Sequence, residues 1–145
     1  MSLEGVYDPD NIFAKIVRRE LPSAIIFEDD DVLAFMDAFP QSKGHCLVIS
    51  KTSRARNLLD AEAGTLTQLM AAVQKVTRAV AEALEPDGII VTQFNGAPAG
   101  QTIFHLHFHI IPRWSDRPMA GHGSAAMADS TQLQDLAQLI GNKLA

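Results

Sequence analysis

The chain has a single cysteine, Cys46, and no long apolar run among its 145 residues. One thiol can form neither an intrachain disulfide nor a cysteine zinc site, so we expect Cys46 to be a buried strand thiol. The apolar stretches are well short of the roughly 18 residues that a membrane span needs. The first residues carry Glu4, Asp8 and Asp10 instead of a basic signal segment. These absences predict a cytoplasmic protein with no membrane partner.

Basic residues are also scarce. Twelve Lys and Arg stand against 17 Asp and Glu, which gives a formal net charge of -5 at pH 7. Nucleic-acid binding depends on clustered Lys and Arg that neutralise phosphates, so we expect no nucleic-acid partner. The composition, 47% hydrophobic and 20% charged, is typical of a globular protein. At this length it predicts a single domain over residues 1–145.

Short apolar and β-branched stretches predict five strands. We expect them at residues 24–27, 32–36, 46–49, 89–94 and 103–111. The first two flank the acidic turn Asp29–Asp31, which favours a hairpin. The fourth is expected to be a central strand because it is rich in β-branched residues. The fifth is expected to stop at Pro112, which has no N–H to donate to a neighbouring strand.

Apolar residues at helical spacing predict three helices. A short one begins after Asp10 or Asn11, either of which can act as its N-cap. A long one lies between Asp60 and Glu85, with an apolar stripe of Leu66, Leu69, Met70, Val73, Val76, Val80 and Leu84. The last has one apolar face, formed by Leu133, Leu136, Ala137, Ile140 and Leu144. This order predicts an α+β domain in which helices cover an antiparallel sheet.

His105, His107 and His109 alternate with apolar residues along the predicted fifth strand. Because strand side chains alternate between two faces, one face carries the imidazoles and the other is apolar. Three uses are open: a hydrogen-bonded polar face, a metal site of three imidazoles, and a central nucleophile with orienting neighbours. The side chains spread over about 13 Å, which strains a zinc site with bonds of about 2.0 Å. The spacing favours His107 as a nucleophile.

The loop before this strand offers groups that suit a phosphate. The side chains of Asn95, Gln101 and Thr102 can contact oxygen atoms, and Gly100 lets the backbone approach a phosphate closely. Attack on phosphorus concentrates negative charge on the non-bridging oxygens, so donors must already be in place when the transition state forms. We therefore expect this loop to be a phosphate-binding loop.

The remaining two histidines have different expected roles. His45 enters the third strand after Gly44, and it either supports the triad from behind or is a core residue. His122 lies in a stretch rich in Gly and Ala, residues 119–128, which we expect to form a loop. A solvated side chain outside the site is the expectation for His122.

The run His105–Ile111, HLHFHII, resembles the signature of the histidine triad family, in which three histidines alternate with apolar residues. The similarity extends upstream through Asn95–Thr102 and Gly44–Lys51, and it covers about residues 11–113, with a tail and helix at 114–145 beyond it. The resemblance implies an α+β HIT-like fold, a homodimer with a ten-stranded sheet across it, and nucleotide hydrolase or transferase activity. It also implies that His107 attacks the α-phosphorus and forms a nucleotidyl-histidine intermediate that water resolves.

The same resemblance assigns roles around the phosphate. His109 and Gln101 would contact it, Thr102 would lie near the leaving group, and the loop would include Asn95 and Gly100. His45 and His105 would support this network.

The resemblance also assigns the nucleoside site. Asp37 resembles the acid that binds the ribose hydroxyls, a role that suits a carboxylate because it can accept two hydrogen bonds. From pattern alone it is a solvated acid at a strand end. The apolar wall around a purine would be formed by Ile12, Phe13, Ile16 and Phe35, which by pattern alone are core residues.

The sequence departs from many bacterial relatives at Asn11–Ala14, where those proteins often carry two cysteines that help to bind zinc. We therefore expect no structural metal, and the chemistry needs no magnesium or other cofactor. Pro112–Arg113 resembles the bacterial and dinucleoside-polyphosphate-cleaving branches. The leading hypothesis is a homodimeric hydrolase of a purine nucleoside phosphoramidate or a dinucleoside polyphosphate. The alternatives are a nucleotidyltransferase, a non-catalytic nucleotide-binding regulator and a metal-binding module.

Overall fold

The computed structural model describes residues 2–122 and 125–144. In this part of the chain five strands form one sheet: β1 Ile25–Glu28, β2 Val32–Met36, β3 Cys46–Ser50, β4 Gly88–Thr92 and β5 His107–Arg113. Their order is β1-β2-β3-β5-β4, and every neighbouring pair is antiparallel. The predicted α+β class and the hairpin of the first two strands are confirmed. Gly123 and Ser124, which belong to the predicted loop 119–128, lie outside the described residues.

Three α-helices accompany the sheet within the described ranges: α1 Ile12–Val17, α2 Ala63–Leu84 and α3 Ser130–Gly141. Asn11, not Asp10, caps α1, because its side-chain oxygen accepts from the backbone N–H of Ala14 at 2.9 Å. No described helix is both long enough and apolar enough to cross a membrane.

The two faces of the sheet are buried by different helices. One face packs against α2 and α3 in the main core, which includes Cys46, a buried thiol as predicted. The opposite face supports a smaller apolar cluster with α1, formed by Phe13, Ile16, Leu33, Phe35, Leu47 and Ile49. On β3, Leu47 pairs with His109 and Ile49 with His107. Because directly paired residues share a face, His107 and His109 lie on the α1 side.

The fifth strand differs from its prediction at both ends. It begins at His107, so His105 precedes the regular alternation. It also continues through Pro112, which pairs with Ile89 of β4. The pairing of β3 with β5 ends at Ile110, so at Pro112 the strand has a neighbour on one side only, where a residue without an N–H is tolerated. The expected stop at Pro112 was therefore wrong.

Two further expectations were wrong about exposure. The strand predicted as central, now β4, lies at an edge of the sheet, and its Val91 is 44% exposed. A β-branched run suits any half-buried strand, so it does not distinguish an edge from a centre. Met70, expected in the buried stripe of α2, is 49% exposed. The buried residues of that helix are Leu69, Ala72, Val73, Val76, Ala79 and Val80.

Candidate active site

A pocket of about 400 Å³ lies on the α1 side of the sheet. It is bounded by α1, by the turn between β2 and β3, by the loop before β5, and by β5 itself. This volume is within the usual range for small-molecule sites. The predicted residues that line it are Ile12, Phe13, Ile16, Asp37, His45, Thr102, His107 and His109. Residues from four separate segments of the chain therefore meet at one concave site.

The hydrogen bond of the His107 ring shows which of its two nitrogens carries the proton. Its Nδ1 lies 2.6 Å from the backbone carbonyl oxygen of His105. A carbonyl only accepts, so Nδ1 carries the proton and Nε2 keeps its lone pair. Among the described residues, no group forms a hydrogen bond with this Nε2. The ring of Phe13 meets His107 edge-on at 4.8 Å between centroids and limits its rotation.

The proton of His109 follows from a chain of hydrogen bonds. The backbone N–H of Gln41 donates to Nδ1 of His45 at 3.0 Å, which places the His45 proton on Nε2. That Nε2 lies 2.9 Å from Nδ1 of His109 and donates to it. The proton of His109 is therefore on its own Nε2, which is buried and without a partner in the part of the chain that the structure describes. An unmade hydrogen bond of this kind costs about 1–3 kcal/mol.

The four clustered histidines are neutral at neutral pH. Burial lowers the pKa of His109 to about 2, and its histidine neighbours act in the same direction. Burial also lowers the pKa of His105 to about 4. The pKa of His45 and that of His107 are lowered by burial as well, although the Asp37 carboxylate opposes the effect at both. A neutral imidazole is the form that can act as a nucleophile.

His105 lies behind the pocket and is held by two hydrogen bonds. Its Nε2 donates to the carbonyl oxygen of Ser50 at 3.2 Å, so its Nδ1 accepts from the hydroxyl of Tyr7 at 2.8 Å. The guanidinium carbon of Arg54 lies 4.9 Å from the centre of the Tyr7 ring. No local pattern in the sequence marks Tyr7 as a partner of His105, because the two residues are 98 positions apart.

Gln101, expected at the phosphate, has its side chain fully engaged within the protein. Its Oε1 accepts from the backbone N–H of Gly96 at 2.9 Å. Its Nε2 donates to the carbonyl oxygens of Arg56 and Ile103 at 2.7 and 3.1 Å. The structure thus places Gln101 inside the loop, where it fixes the loop's shape.

Asn95 and Gly100 also form hydrogen bonds within the protein. Oδ1 of Asn95 accepts from the backbone of Leu58 and from the Gln93 side chain, both at 2.9 Å. The backbone N–H of Gly100 donates to the Ala97 carbonyl at 3.0 Å. Gly100 has a φ of 109°, which a residue with a side chain rarely adopts. Of the expected phosphate-loop residues, Thr102 is the one that lines the pocket.

Of the residues expected to contact the nucleoside, some line the pocket and one lies behind it. Ile12, Phe13 and Ile16 line the pocket from α1, whereas Phe35 is buried behind them. The ring of Phe35 packs edge-on against Phe13 at 5.5 Å. Asp37 lies at the pocket rim, where one carboxylate oxygen accepts from the backbone N–H of Phe39 at 2.8 Å.

Among the residues that the structure describes, one group of side chains could hold a metal ion. Ligand atoms of Asp37, His45 and His109 lie within 4.8 Å of one another, and carboxylate and imidazole are both zinc ligands. The other Asp37 oxygen is 3.4 Å from Nε2 of His45. A metal bound here would compete with the hydrogen bond between His45 and His109, so the same atoms serve either a proton network or a metal.

His122 is exposed, as expected, but the expectation that it lies outside the site was wrong. His122 lines the pocket and packs against the ring of His109 at 5.6 Å between centroids. It is hydrogen-bonded to the Gln41 side chain at 2.8 Å and to the Gly100 carbonyl at 2.5 Å. Gln41 is 81 positions away, so the glycine-rich surroundings of His122 in the sequence carry no sign of this contact.

Comparisons with known proteins agree on one family. The sequence matches the family model described as HIT domain over residues 18–116. It is 40% identical over 134 residues to Protein hit of Bacillus subtilis, covering 92% of this chain and 91% of that protein. The structure is similar to a HIT-like protein of Bartonella henselae, with a TM-score of 0.90, 47% identity, and coverage of 97% of this chain and 100% of that one.

Three further similar proteins have names that state a ligand, a reaction or a bound metal. A hypothetical histidine triad nucleotide-binding protein of Sulfolobus tokodaii has a TM-score of 0.83 and 32% identity, covering 91% of this chain and 90% of its own. Adenylylsulfatase HINT3 of Arabidopsis thaliana is 33% identical over 130 residues, 86% of this chain and 66% of that protein. A zinc-bound histidine triad family protein of Mycobacterium smegmatis has a TM-score of 0.79 and 30% identity, covering 93% of both chains.

Proposed function

This chain belongs to the HIT domain family, and from that premise we propose that it is a nucleotide hydrolase that acts at the α-phosphorus of a purine nucleotide. The family includes nucleotide-binding proteins and hydrolases. The observation that carries the proposal is a pair of groups in one pocket: the lone pair on Nε2 of His107 and the N–H on Nε2 of His109, which has no partner among the described residues. The first suits a nucleophile, and the second suits the charge that develops on phosphate oxygens.

The proposed reaction consists of two displacements. Nε2 of His107 attacks the α-phosphorus, an N–P bond forms, and the bond from phosphorus to the leaving group breaks. The leaving group keeps the bonding electron pair and takes up a proton from solvent. Water then attacks the same phosphorus and gives up a proton to solvent, the N–P bond breaks, and its electron pair returns to Nε2 while the nucleoside monophosphate is released. The Nδ1–H of His107 keeps its hydrogen bond to the His105 carbonyl oxygen, and this bond stabilises the cationic ring of the intermediate.

The pocket supports a nucleoside on the α1 side. Ile12, Phe13 and Ile16 provide an apolar wall for a purine base, and Phe35 supports Phe13 from behind. Asp37 at the rim would accept hydrogen bonds from the two ribose hydroxyls. This arrangement would direct the α-phosphate towards the histidines at the other end of the pocket.

Residues of the loop before β5 would act on the phosphate in two ways. Thr102 lines the pocket and would contact the phosphate or the leaving group. Asn95, Gly100 and Gln101 hold the loop in shape. A direct contact of Gln101 with the phosphate requires its amide to release one of its two carbonyl partners.

The leaving group defines the substrate class. A phosphoramidate and a dinucleoside polyphosphate both present an α-phosphorus with one bond to break, and both are candidates. Adenylyl sulfate has the same feature, and its hydrolase in Arabidopsis thaliana is among the relatives.

The proposal also includes a cytoplasmic location and a homodimer with a sheet that continues across its two copies. The unpaired edge of β4 supports such a dimer.

Intact-protein mass spectrometry tests the proposal. The protein is mixed briefly with adenosine phosphoramidate, diadenosine polyphosphate or adenylyl sulfate, and AMP release is followed in parallel. We expect a transient adenylylated species with the wild type and none with His107→Ala, which should lose turnover altogether. His45→Ala should lose about 10²-fold, because it removes only the hydrogen bond that orients His109.

The outcomes separate the alternatives. Equal AMP release by His107→Ala and the wild type would reject the mechanism. Binding of AMP without turnover of any of the three nucleotides would make the protein a nucleotide-binding regulator. An adduct that is resolved by phosphate or a sugar phosphate, and not by water, would make it a nucleotidyltransferase.

A further inference from the structure

We propose, on the basis of the function above, that His122 is a positioning residue that clamps the loop before β5 to the turn before β3. The clamp holds His109 and Thr102 in place for the reaction at His107. His122 comes from the segment after β5, beyond the triad motif, and its ring spans two walls of the pocket.

Two hydrogen bonds fix the ring of His122. Nε2 of the Gln41 amide donates to Nδ1 of His122 at 2.8 Å, so this ring nitrogen is the acceptor. The proton of His122 is then on Nε2, which donates to the carbonyl oxygen of Gly100 at 2.5 Å. The His122 side chain is exposed, and both of its ring nitrogens have protein partners only when the turn at Gln41 and the loop at Gly100 are both in place. One side chain therefore ties together segments that are about 60 residues apart in the chain.

Gln41 connects this clamp to the catalytic histidines. Its carbonyl accepts from the backbone N–H of Ala120 at 2.9 Å, so the segment with His122 holds Gln41 by backbone and side chain together. The N–H of the same Gln41 donates to Nδ1 of His45 and sets the direction of the bond from His45 to His109. Loss of the clamp should therefore loosen the hydrogen bond that keeps the His109 proton on Nε2.

The loop is shaped to receive the His122 ring. A Cβ added at Gly100 would lie 3.3 Å from Cδ2 of His122 and 3.6 Å from the Phe94 ring. The His122 ring also packs against Phe94 at 4.6 Å and against His109 at 5.6 Å between centroids. Gly100 is two residues before Thr102, which lines the pocket. A shift of the Gly100 carbonyl would therefore also move Thr102.

Three substitutions separate the clamp from simple packing. His122→Phe keeps a ring but loses both hydrogen bonds, His122→Gln keeps an acceptor and a donor, and His122→Ala loses ring and bonds. With adenosine phosphoramidate as substrate, we expect kcat to fall about 10- to 10²-fold in the Phe and Ala variants while KM changes little. The Gln variant should recover most of the loss. Met127→Ala, an exposed residue of the same segment, is the control and should match the wild type.

Nitrogen-15 NMR of the imidazoles gives a second readout that does not depend on turnover. We expect single tautomers for His45 and His109 in the wild type and in His122→Gln, and tautomer exchange in His122→Phe. Unchanged kcat in both His122→Phe and His122→Ala would overturn the proposal. The proposal would also be overturned if kcat fell in all three variants in parallel with their melting temperatures and His122→Gln recovered none of the loss.

The same readout separates this proposal from the proposed function. If the wild type releases no AMP, the hydrolase proposal fails, and the NMR spectra decide on the clamp alone. Unchanged His45 and His109 tautomers in His122→Phe would then reject it, and tautomer exchange would support it.

Discussion

The carbonyl group of His105 and the backbone N–H of Gln41 decide the tautomers of the two histidines that line the pocket from β5. The first keeps a proton on Nδ1 of His107, and the second leads through His45 to a proton on Nε2 of His109. The rings of His107 and His45 are each fixed by a backbone group that cannot itself ionise in the physiological range, and His45 in turn fixes His109. At the residue scale, the chemistry of the pocket is therefore set by hydrogen-bond partners, and the pKa values lowered by burial keep the rings neutral.

His109→Ala should lower kcat by about 10²- to 10³-fold with little change in KM, because it removes a donor that acts on charge developed in the transition state. Steady-state kinetics of AMP release from adenosine phosphoramidate measures both constants. His109→Gln is the matched control, since its amide retains an N–H and should recover part of the rate. A kcat of His109→Ala within about threefold of the wild type would show that His109 does not stabilise the transition state.

Tyr7→Phe should lower the free energy of unfolding by about 1–3 kcal/mol, because it leaves the buried Nδ1 of His105 without its donor. Urea denaturation followed by circular dichroism measures this difference. Val6→Ala changes an exposed neighbour and should have no effect. We expect the kcat of Tyr7→Phe to stay within about threefold of the wild type. Unchanged stability would mean that the hydroxyl is not needed to satisfy His105.

At the scale of elements, the site depends on how strands and helices meet. β3 and β5 pair so that Ile49 lies beside His107 and Leu47 beside His109, and α1 closes this face with Phe13 and Ile16. The opposite face is occupied by α2 and α3. Within the described residues, β1 and β4 are the outer strands of the sheet, so each has one neighbouring strand and a free edge. A free edge exposes unpaired backbone groups that can pair with a second copy of the chain.

Val91→Lys should convert the proposed dimer into a monomer, because a charged side chain on an edge strand opposes pairing of strands. Size-exclusion chromatography with light scattering measures the mass in solution. Leu139→Lys on α3 is the matched control, since Leu139 and Val91 are both 44% exposed. We expect the control to remain dimeric. A monomeric wild type, or a Val91→Lys variant that stays dimeric, would reject β4 as the dimer interface.

At the scale of the whole molecule, burial of four neutral histidines makes stability depend on pH. Their pKa values in the folded state are lowered from an ordinary value of 6.5. Below this value the unfolded chain binds protons that the folded protein does not, so stability falls as pH falls. The slope cannot exceed about 1.4 kcal/mol per pH unit for each histidine. The loss ends only when pH falls below the lowered values, which are about 4 for His105 and about 2 for His109.

We therefore expect the free energy of unfolding to be nearly constant above pH 7 and to decrease steadily between pH 6.5 and 5. Urea denaturation at half-unit steps of pH measures it. Glu28 and Asp29 also have lowered pKa values, but their ordinary values of 4.5 and 3.8 place their contribution at lower pH. A free energy that stays flat between pH 7 and 5 would show that the buried histidines accept protons without cost.

Local sequence patterns determined the helices, the hairpin and the face on which His107 and His109 lie. The helices and the histidine face follow from the spacing of apolar residues, and the hairpin follows from the acidic turn Asp29–Asp31, so each is set within a few positions. Tertiary structure alone decided that β4 is an edge strand, that Gln101 serves the loop from inside, and that His122 reaches the pocket. These features depend on partners far apart in the chain. The proton positions belong to the second group, because a ring nitrogen takes its tautomer from whichever group the fold brings beside it.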